Sequence, residues 1–271
     1  MPDTQRVNRV DISNIEAINR VGGSNIEQLD GQGFVTFSPA TYTFNSTDNT
    51  WSVPGGTTHM DVTVIGAGGK GGHSDGNKAG AGGGGAGSAQ STENTGGRLA
   101  IGNITNLAIV VGVGGSGNDD STPSTVNGNG MTEMKGDYGR HADTSNFAWN
   151  TKAGGGGGSG GNTNTDGGAS GHGPNGAGNG TAGAAGACGG GGGGDRYSNS
   201  TPGGAGGSGN VGGAGGAGGF GGNTVNSGVA GTVPGGGSGG AGAGWGGTAA
   251  EQGGVNGRVV INTRSGANGN T

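Results

Sequence analysis

Glycine fills 80 of the 271 positions, and no other feature restricts the fold of this chain so tightly. Glycine has no Cβ, contributes nothing to a side-chain core, and loses more backbone freedom on ordering than any other residue. With 27% hydrophobic and 4% aromatic residues, stability has to come largely from the backbone. Collagen requires glycine at every third position with abundant proline. The 7 prolines here are scattered outside any such repeat.

Other staples are missing from the sequence. Cys188 is the only cysteine, and four scattered histidines give no zinc spacing, so neither a disulfide within the chain nor a metal is expected. No cofactor is expected either. A formal net charge of −5 with 11% charged residues and no lysine or arginine cluster argues against nucleic acid. No segment reaches the roughly 20 apolar residues of a membrane span, and no export signal is evident. A soluble product assembled inside the cell that makes it is the expectation.

Residues 1–57 have the most ordinary composition. Ser13-Asn14-Ile15-Glu16 and Ser24-Asn25-Ile26-Glu27 both read as capping boxes, which predicts two short helices separated by Gly22 and Gly23. Ile12, Ile15 and Ile18, with Val21, form an apolar stripe. That stripe fits a small local core or docking against another chain, and its share of the chain's isoleucine favours docking, together with Trp51. Alternation over Gly33 to Phe44 suggests short strands or an extended arm. Further strands are predicted at Met60–Ile65, Leu107–Val113 and Arg258–Asn262.

The glycine-rich body carries a period. From Gly203 to Gly222 the other residues are Ala205, Ser208, Asn210, Val211, Ala214, Ala217 and Phe220, and all but Asn210 lie three apart. Gly180, Gly183, Gly186, Gly189 and Gly192 hold the complementary phase. Three residues per turn is the period of a polyproline II-type helix, which has no internal hydrogen bonds and must find partners in its neighbours. The expected fold class is therefore mostly irregular: a bundle, or sandwich, of left-handed polyglycine II helices with a small β-unit, preceded by a small α+β attachment domain. The expected domains are 1–57 for attachment, 58–264 for the scaffold and 265–271 for a tail.

Between the glycine runs the sequence predicts loops at 73–79, 118–152, 162–175, 195–202 and 223–234. The longest holds Tyr138, Arg140, His141, Phe147 and Trp149; His172 lies in the third, and Arg196 and Tyr197 in the fourth. Tyr, Trp, Arg, Ser, Gly and Asn are the vocabulary of antibody-like binding loops, which combine rigid aromatic contacts with adaptable hydrogen bonding. These eight residues are the candidate receptor contacts. The bland alternative for each is that it covers the scaffold.

Catalytic motifs fail on context. Gly66-Ala67-Gly68-Gly69-Lys70-Gly71 satisfies the dinucleotide fingerprint, but such matches arise by chance at this glycine content and no amphipathic helix follows. Gly157–Gly161 and Gly236–Gly240 match a nucleophile elbow without a strand before or a helix after. Asp119, Asp120, Glu133, Asp137 and Asp143 offer carboxylates but no placed pair. No enzymatic activity is expected.

The alternation of glycine runs and loops resembles the distal long-tail-fibre adhesins of T-even-type bacteriophages. The resemblance is carried by Trp51-Ser52-Val53-Pro54-Gly55-Gly56, by Val62-Thr63-Val64-Ile65-Gly66-Ala67-Gly68-Gly69, by Val111-Gly112-Val113-Gly114-Gly115, and by the runs through Val260. It implies a virion protein at the distal fibre tip that docks on a trimeric fibre protein through Ile12, Ile15, Ile18 and Trp51. It also implies loops that bind a porin-like outer-membrane protein of a Gram-negative host, without membrane insertion. The alternatives are a fibre-assembly chaperone and a passive glycine-rich spacer.

Overall fold

The computed structural model describes residues 28–29, 32–33, 37–74, 79–116, 121–142, 158–173, 179–195, 203–219, 221, 226–244, 247–250 and 252–265. The chain forms two units, Met1–Thr36 and Phe37–Thr271. In the first, β1 (Gln28–Leu29) pairs antiparallel with β2 (Gln32–Gly33). A helix begun at the second capping box would run through Gln28 and Leu29, which are strand instead. Both capping boxes and Ile12, Ile15 and Ile18 lie outside the described residues.

The second unit begins with two antiparallel sheets. The first contains β3 (Thr41–Phe44), β5 (His59–Ile65), β6 (Ser88–Ser91), β11 (Thr163–Thr165) and β14 (Arg258–Arg264) in the order β11-β6-β5-β14-β3, with β7 (Leu99–Ala100) on the end of β5. The second has the order β10-β9-β8-β4, from β4 (Asp48–Ser52), β8 (Asn106–Val110), β9 (Ser124–Gly128) and β10 (Met134–Gly136). A small ladder of β12 (Ala243–Gly244) and β13 (Gly247–Thr248) completes the set. Strand residues alternate between faces, so Met60, Val62 and Val64 of β5 and Val259 and Ile261 of β14 point to one side. They pack against Leu107, Ile109, Val126 and Met134 of the second sheet in one buried cluster. Trp51 meets Tyr42 and Phe44 edge-on at centroid distances of 5.0 and 5.7 Å, at the rim of that core.

The fold-class expectation needs correction. Among the described residues there is no α-helix, only a 3-10 turn at Glu93–Thr95, and the regular secondary structure is antiparallel sheet. The described residues form neither a helical polyglycine II bundle nor an α+β attachment domain. The sequence reading underweighted the sheets because Ser-Ala-Gln-Ser in β6 and Thr-Asn-Thr in β11 lack apolar alternation; they take their register from β5 (Val64↔Ala89) and from β6 (Asn164↔Ala89). Residues 1–57 are not one domain either, since β3 pairs with β14 and β4 with β8 inside the second unit.

Several strands continue directly into extended glycine-rich runs. Run 66–74 follows β5, 79–87 leads into β6, 137–142 follows β10, 167–173 follows β11, and 252–257 leads into β14. Sideways backbone bonds join these runs, and residues three apart on one run face the same neighbour. Gly66, Gly69 and Gly72 donate to Gly87, Gly84 and Ala81, whereas Gly68, Gly71 and Ser74 donate to Val255, Gln252 and Ala249. At the splice, serine hydroxyls bind backbone groups the sheet no longer reaches: Ser124 Oγ donates to Ile65 O and accepts from Gly112 N, and Ser121 Oγ donates to Gly68 O and accepts from Gly115 N.

Run 188–195 lies at the centre of this lattice. It donates to 79–87 (Cys188, Gly191 and Gly194 to Ala86, Gly83 and Gly80), to 213–219 (Gly189, Gly192 and Asp195 to Gly213, Gly216 and Gly219) and to 180–186 (Gly190 and Gly193 to Ala184 and Thr181). It accepts from 167–173 (Gly168, Gly171), from 203–209 (Gly204, Gly207) and from 235–243 (Gly237, Gly240, Ala243), all at 2.8–3.1 Å. With neighbours on every side no position between Cys188 and Asp195 can carry a side chain, which explains the unbroken stretch Gly189–Gly194. A Cβ on Gly190, Gly191 or Gly192 would meet the carbonyl oxygen of Ala169, Ser238 or Gly204. Outer runs have one open side, and there Ala205, Ser208 and Ala214 stand exposed, while Val211 in the same phase packs inward against Cys188. Each bond is worth only about 0.5–1.5 kcal/mol net, but leaving a buried partner unmet costs about 1–3 kcal/mol.

Cys188 sits where the central run meets the sandwich, buried with Ile65 and Ala86 and with Val211 packed against them. Its Sγ lies 3.3 Å from Pro234 O. Burial pushes the thiol up from 9.0 to about 12, against a smaller downward pull from backbone hydrogen bonds at Gly213 and Ala86.

Two outcomes follow. Gly191→Ala should destabilise the second unit by about 3 kcal/mol or more through overpacking against backbone, while Ala205→Ser on the open side should be nearly neutral; similar melting temperatures for the two would contradict the packing described. Cys188 should resist alkylation at pH 8 in the native protein and react only with its unfolding. Its folded value is raised, so the stability it contributes is intact below pH 9 and is lost as pH rises towards 12. A Cys188→Ala comparison of melting temperature against pH isolates that effect, and a parallel decline in both proteins would contradict it.

A candidate binding end of the lattice

The runs that leave the sheets end far from the sandwich. From His59 at the start of β5 to Ser74 at the end of its run, an extended chain spans up to about 50 Å at roughly 3.3 Å per residue. Hydrogen bonds place the other run ends at the level of Ser74. Ser74 N donates to Ala249 O, and Ala249 N donates back to Ser74 Oγ at 3.0 Å. Gly80 donates to Ala241, Gly194 to Gly80, Ala243 to Asp195, Asp195 to Gly219, Gly219 to Gly240, and Gly242 to Asn226. Thr181 N donates to His172 O, and His172 N donates to Thr181 Oγ1 at 2.9 Å. Ser74, Ala79, His172, Thr181, Asp195, Gly219, Asn226 and Ala243 thus share one end. Several of these residues border the segments 75–78, 174–178, 196–202, 222–225 and 245–246, which lie outside the described residues.

This end is held by backbone bonds and by the hydroxyls of Ser74 and Thr181. Asp195, the last residue of the central run, is fully buried, and its main chain ties 213–219 to 235–243. The sequence had placed it at the start of a loop. Ser74 and Thr181 were not singled out at all, although each closes a run end with its hydroxyl.

The candidate contacts divide into two groups. Phe147, Trp149, Arg196 and Tyr197 lie outside the described residues. Tyr138, Arg140 and His141 are not on a free loop: they belong to run 137–142, where Gly139 donates to Ala67 and Ala142 to Lys70. The predicted loop 118–152 also contains β9 and β10, 162–175 contains β11 and run 167–173, and 223–234 contains run 226–232. A spacing signal was available, because Gly136, Gly139 and Ala142 are three apart, as are Gly228 and Gly231. Arg140 is exposed, donates from Nη1 to Tyr138 Oη at 3.0 Å, and has its Cζ 5.1 Å from the ring centroid. His172 is exposed at the run end. Trp51 is part of the sandwich, and its ring is engaged by Tyr42 and Phe44.

The rejected motifs sit in places without catalytic geometry. Gly66–Gly71 and Gly236–Gly240 are extended lattice segments with neighbours on several sides. Glu133 is exposed, and Asp137 Oδ1 lies 3.5 Å from Lys135 Nζ; Asp119, Asp120 and Asp143 lie outside the described residues. No cluster of three metal-ligating side chains occurs among the described residues. No helix there is long and apolar enough to cross a membrane. A groove of about 580 Å³ lies on the sandwich, lined by Leu99, Ile101, Ile104 and Met131 with Arg98 and Asn162. Arg98 is committed within it, to Asp61 at 3.1 Å and to Glu93 at 2.7 Å.

No curated protein matches this sequence. Residues 43–264 match the family described as a glycine-rich domain, a range that opens in β3 and closes on β14, two strands that pair with each other. The chain therefore belongs to the glycine-rich domain family.

Proposed function

We propose that this chain is the adhesin at the tip of a bacteriophage long tail fibre, holding a porin-like outer-membrane protein of a Gram-negative host. The observation that carries this reading is the separation of duties along the lattice. Backbone bonds fix the runs, and Ser74, Ala79, His172, Thr181, Asp195, Gly219, Asn226 and Ala243, which flank several of the intervening segments, share one end. A rigid scaffold presenting several segments at one end is the arrangement used by loop-based binding proteins. The residues on those segments include Phe147, Trp149, Arg196 and Tyr197, with Arg140, Tyr138, His141 and His172 on the flanking runs.

Binding requires no cofactor and no catalysis. An exposed guanidinium already oriented by Tyr138 loses less freedom on engaging a partner than a free side chain would. In this reading the chain works on the virion, after assembly in the host cytoplasm, with its sandwich side towards the trimeric fibre. A chaperone would leave the particle, and a spacer would tolerate replacement of its segments without loss of adsorption.

The structure narrows which residues can be exchanged. Replacing 143–152 and 196–202 with the matching segments of a glycine-rich adhesin of different host range should redirect adsorption while the melting temperature stays unchanged. Exchanging 118–152 whole should unfold the protein, because β9 and β10 go with it. Arg140→Ala should weaken receptor binding, by about 2 kcal/mol if it is a hot spot. Adsorption to receptor-positive and receptor-deleted cells provides the measurement. Unchanged host preference in a folded exchange variant, or absence of the chain from purified virions, would sink the proposal.

A further inference from the structure

We infer that Asn129 is a site of spontaneous backbone-assisted deamidation, set apart from its neighbours by the fold. Asparagine followed by glycine is the reactive pair in general, because glycine has no Cβ to hinder approach of its own amide nitrogen to the preceding side chain. The reaction needs only water. Gly130 N attacks Asn129 Cγ, the bond from Cγ to the side-chain nitrogen breaks, and ammonia leaves with the proton from the Gly130 amide. Water then opens the cyclic imide at either carbonyl, giving aspartate or its β-linked isomer. Each event adds one negative charge.

Four such pairs lie fully within the described segments and have different surroundings. Asn179 is exposed, but Gly180 after it is packed against the backbone of Gly193 and Gly194, and the next residue is tied by Thr181 N donating to His172 O at 3.0 Å. Asn256 is held from three directions: its Oδ1 accepts from Gly114 N at 3.0 Å, its carbonyl accepts from Gly235 N at 2.9 Å, and Gly257 N, the would-be nucleophile, donates to Gly112 O at 2.9 Å. Asn127 lies in β9 opposite Ala108, and Gly128 after it pairs with Leu107, so the ladder keeps that backbone extended. Asn129 is exposed in the turn between β9 and β10. That turn is closed only by Met131 N donating to Gly128 O at 3.2 Å, and Gly130 has φ of +83° with nothing within 4 Å of its Cβ direction. No protein partner holds the Asn129 side chain or Gly130 N among the described residues. Rigid pairing restrains local opening, and an exposed turn at the edge of a sheet opens at low cost.

The location gives the modification a consequence. Asn129 and Gly130 line the groove on the sandwich that Arg98, Leu99 and Met131 also line. A new carboxylate would therefore alter that groove and leave the lattice end untouched.

The test incubates the full chain at pH 8 and 37 °C in native buffer and in denaturant, and follows aspartate and isoaspartate at each asparagine by peptide mapping with fragmentation that resolves Asn127 from Asn129. Native protein should accumulate product at Asn129 faster than at Asn127, Asn179 or Asn256. Denaturant should erase the difference, since each is an Asn-Gly pair. An Asn129→Gln variant should lose the early native product. Native conversion at Asn127, Asn179 or Asn256 as fast as at Asn129, or a ranking that survives denaturation, would overturn the inference.

Discussion

The structure depends on one contact: a backbone amide meeting a backbone carbonyl across a gap too narrow for any Cβ. Run 188–195 makes that contact on every side, and the outer runs are positioned by it. A chain with so few apolar side chains cannot assemble such a lattice by burial alone, because the hydrophobic effect is non-directional and the lattice has to be in register. The sandwich supplies the register. Five of the runs are continuations of its strands, so once β5, β6 and β14 are paired their extensions already lie side by side. Ser121 and Ser124 complete the splice by binding backbone groups at the point where sheet spacing gives way to lattice spacing.

The division between sandwich and lattice also explains the distribution of residue types. Apolar side chains are concentrated where two sheets face each other, around Leu107, Ile109, Val62 and Ile261. Small residues fill the open sides of outer runs, and uninterrupted glycine fills the centre. In the sequence, Phe147, Trp149, Arg196 and Tyr197 fall between the runs rather than within them. That separation in the sequence is what the proposed binding role uses.

Much of this arrangement was legible in the sequence, though not its architecture. The strands around Met60–Ile65, Leu107 and Arg258–Asn262 declared themselves by apolar alternation. β6 and β11 did not, because small polar residues bonded to a neighbouring strand leave no periodic trace. The spacing of three was real information, but about which neighbour each glycine faces rather than about a helical bundle. Run 137–142 was missed for a related reason: Tyr138, Arg140 and His141 drew attention as loop residues, while Gly136, Gly139 and Ala142 between them marked the facing positions. Trp51 looked like docking surface because the aromatic partners Tyr42 and Phe44 come from another strand.

Native-state hydrogen exchange tests the central claim most directly, because it reads each backbone amide without regard to side chains. If the central run holds the second unit together, the amides of Gly189 to Asp195 should exchange only through global unfolding, with protection equal to that of Val62 and Ile261 in the sandwich core. Rapid exchange across Gly189 to Asp195 while Val62 and Ile261 remain protected would contradict the account, leaving the glycine runs as passengers on an independently stable β-sandwich.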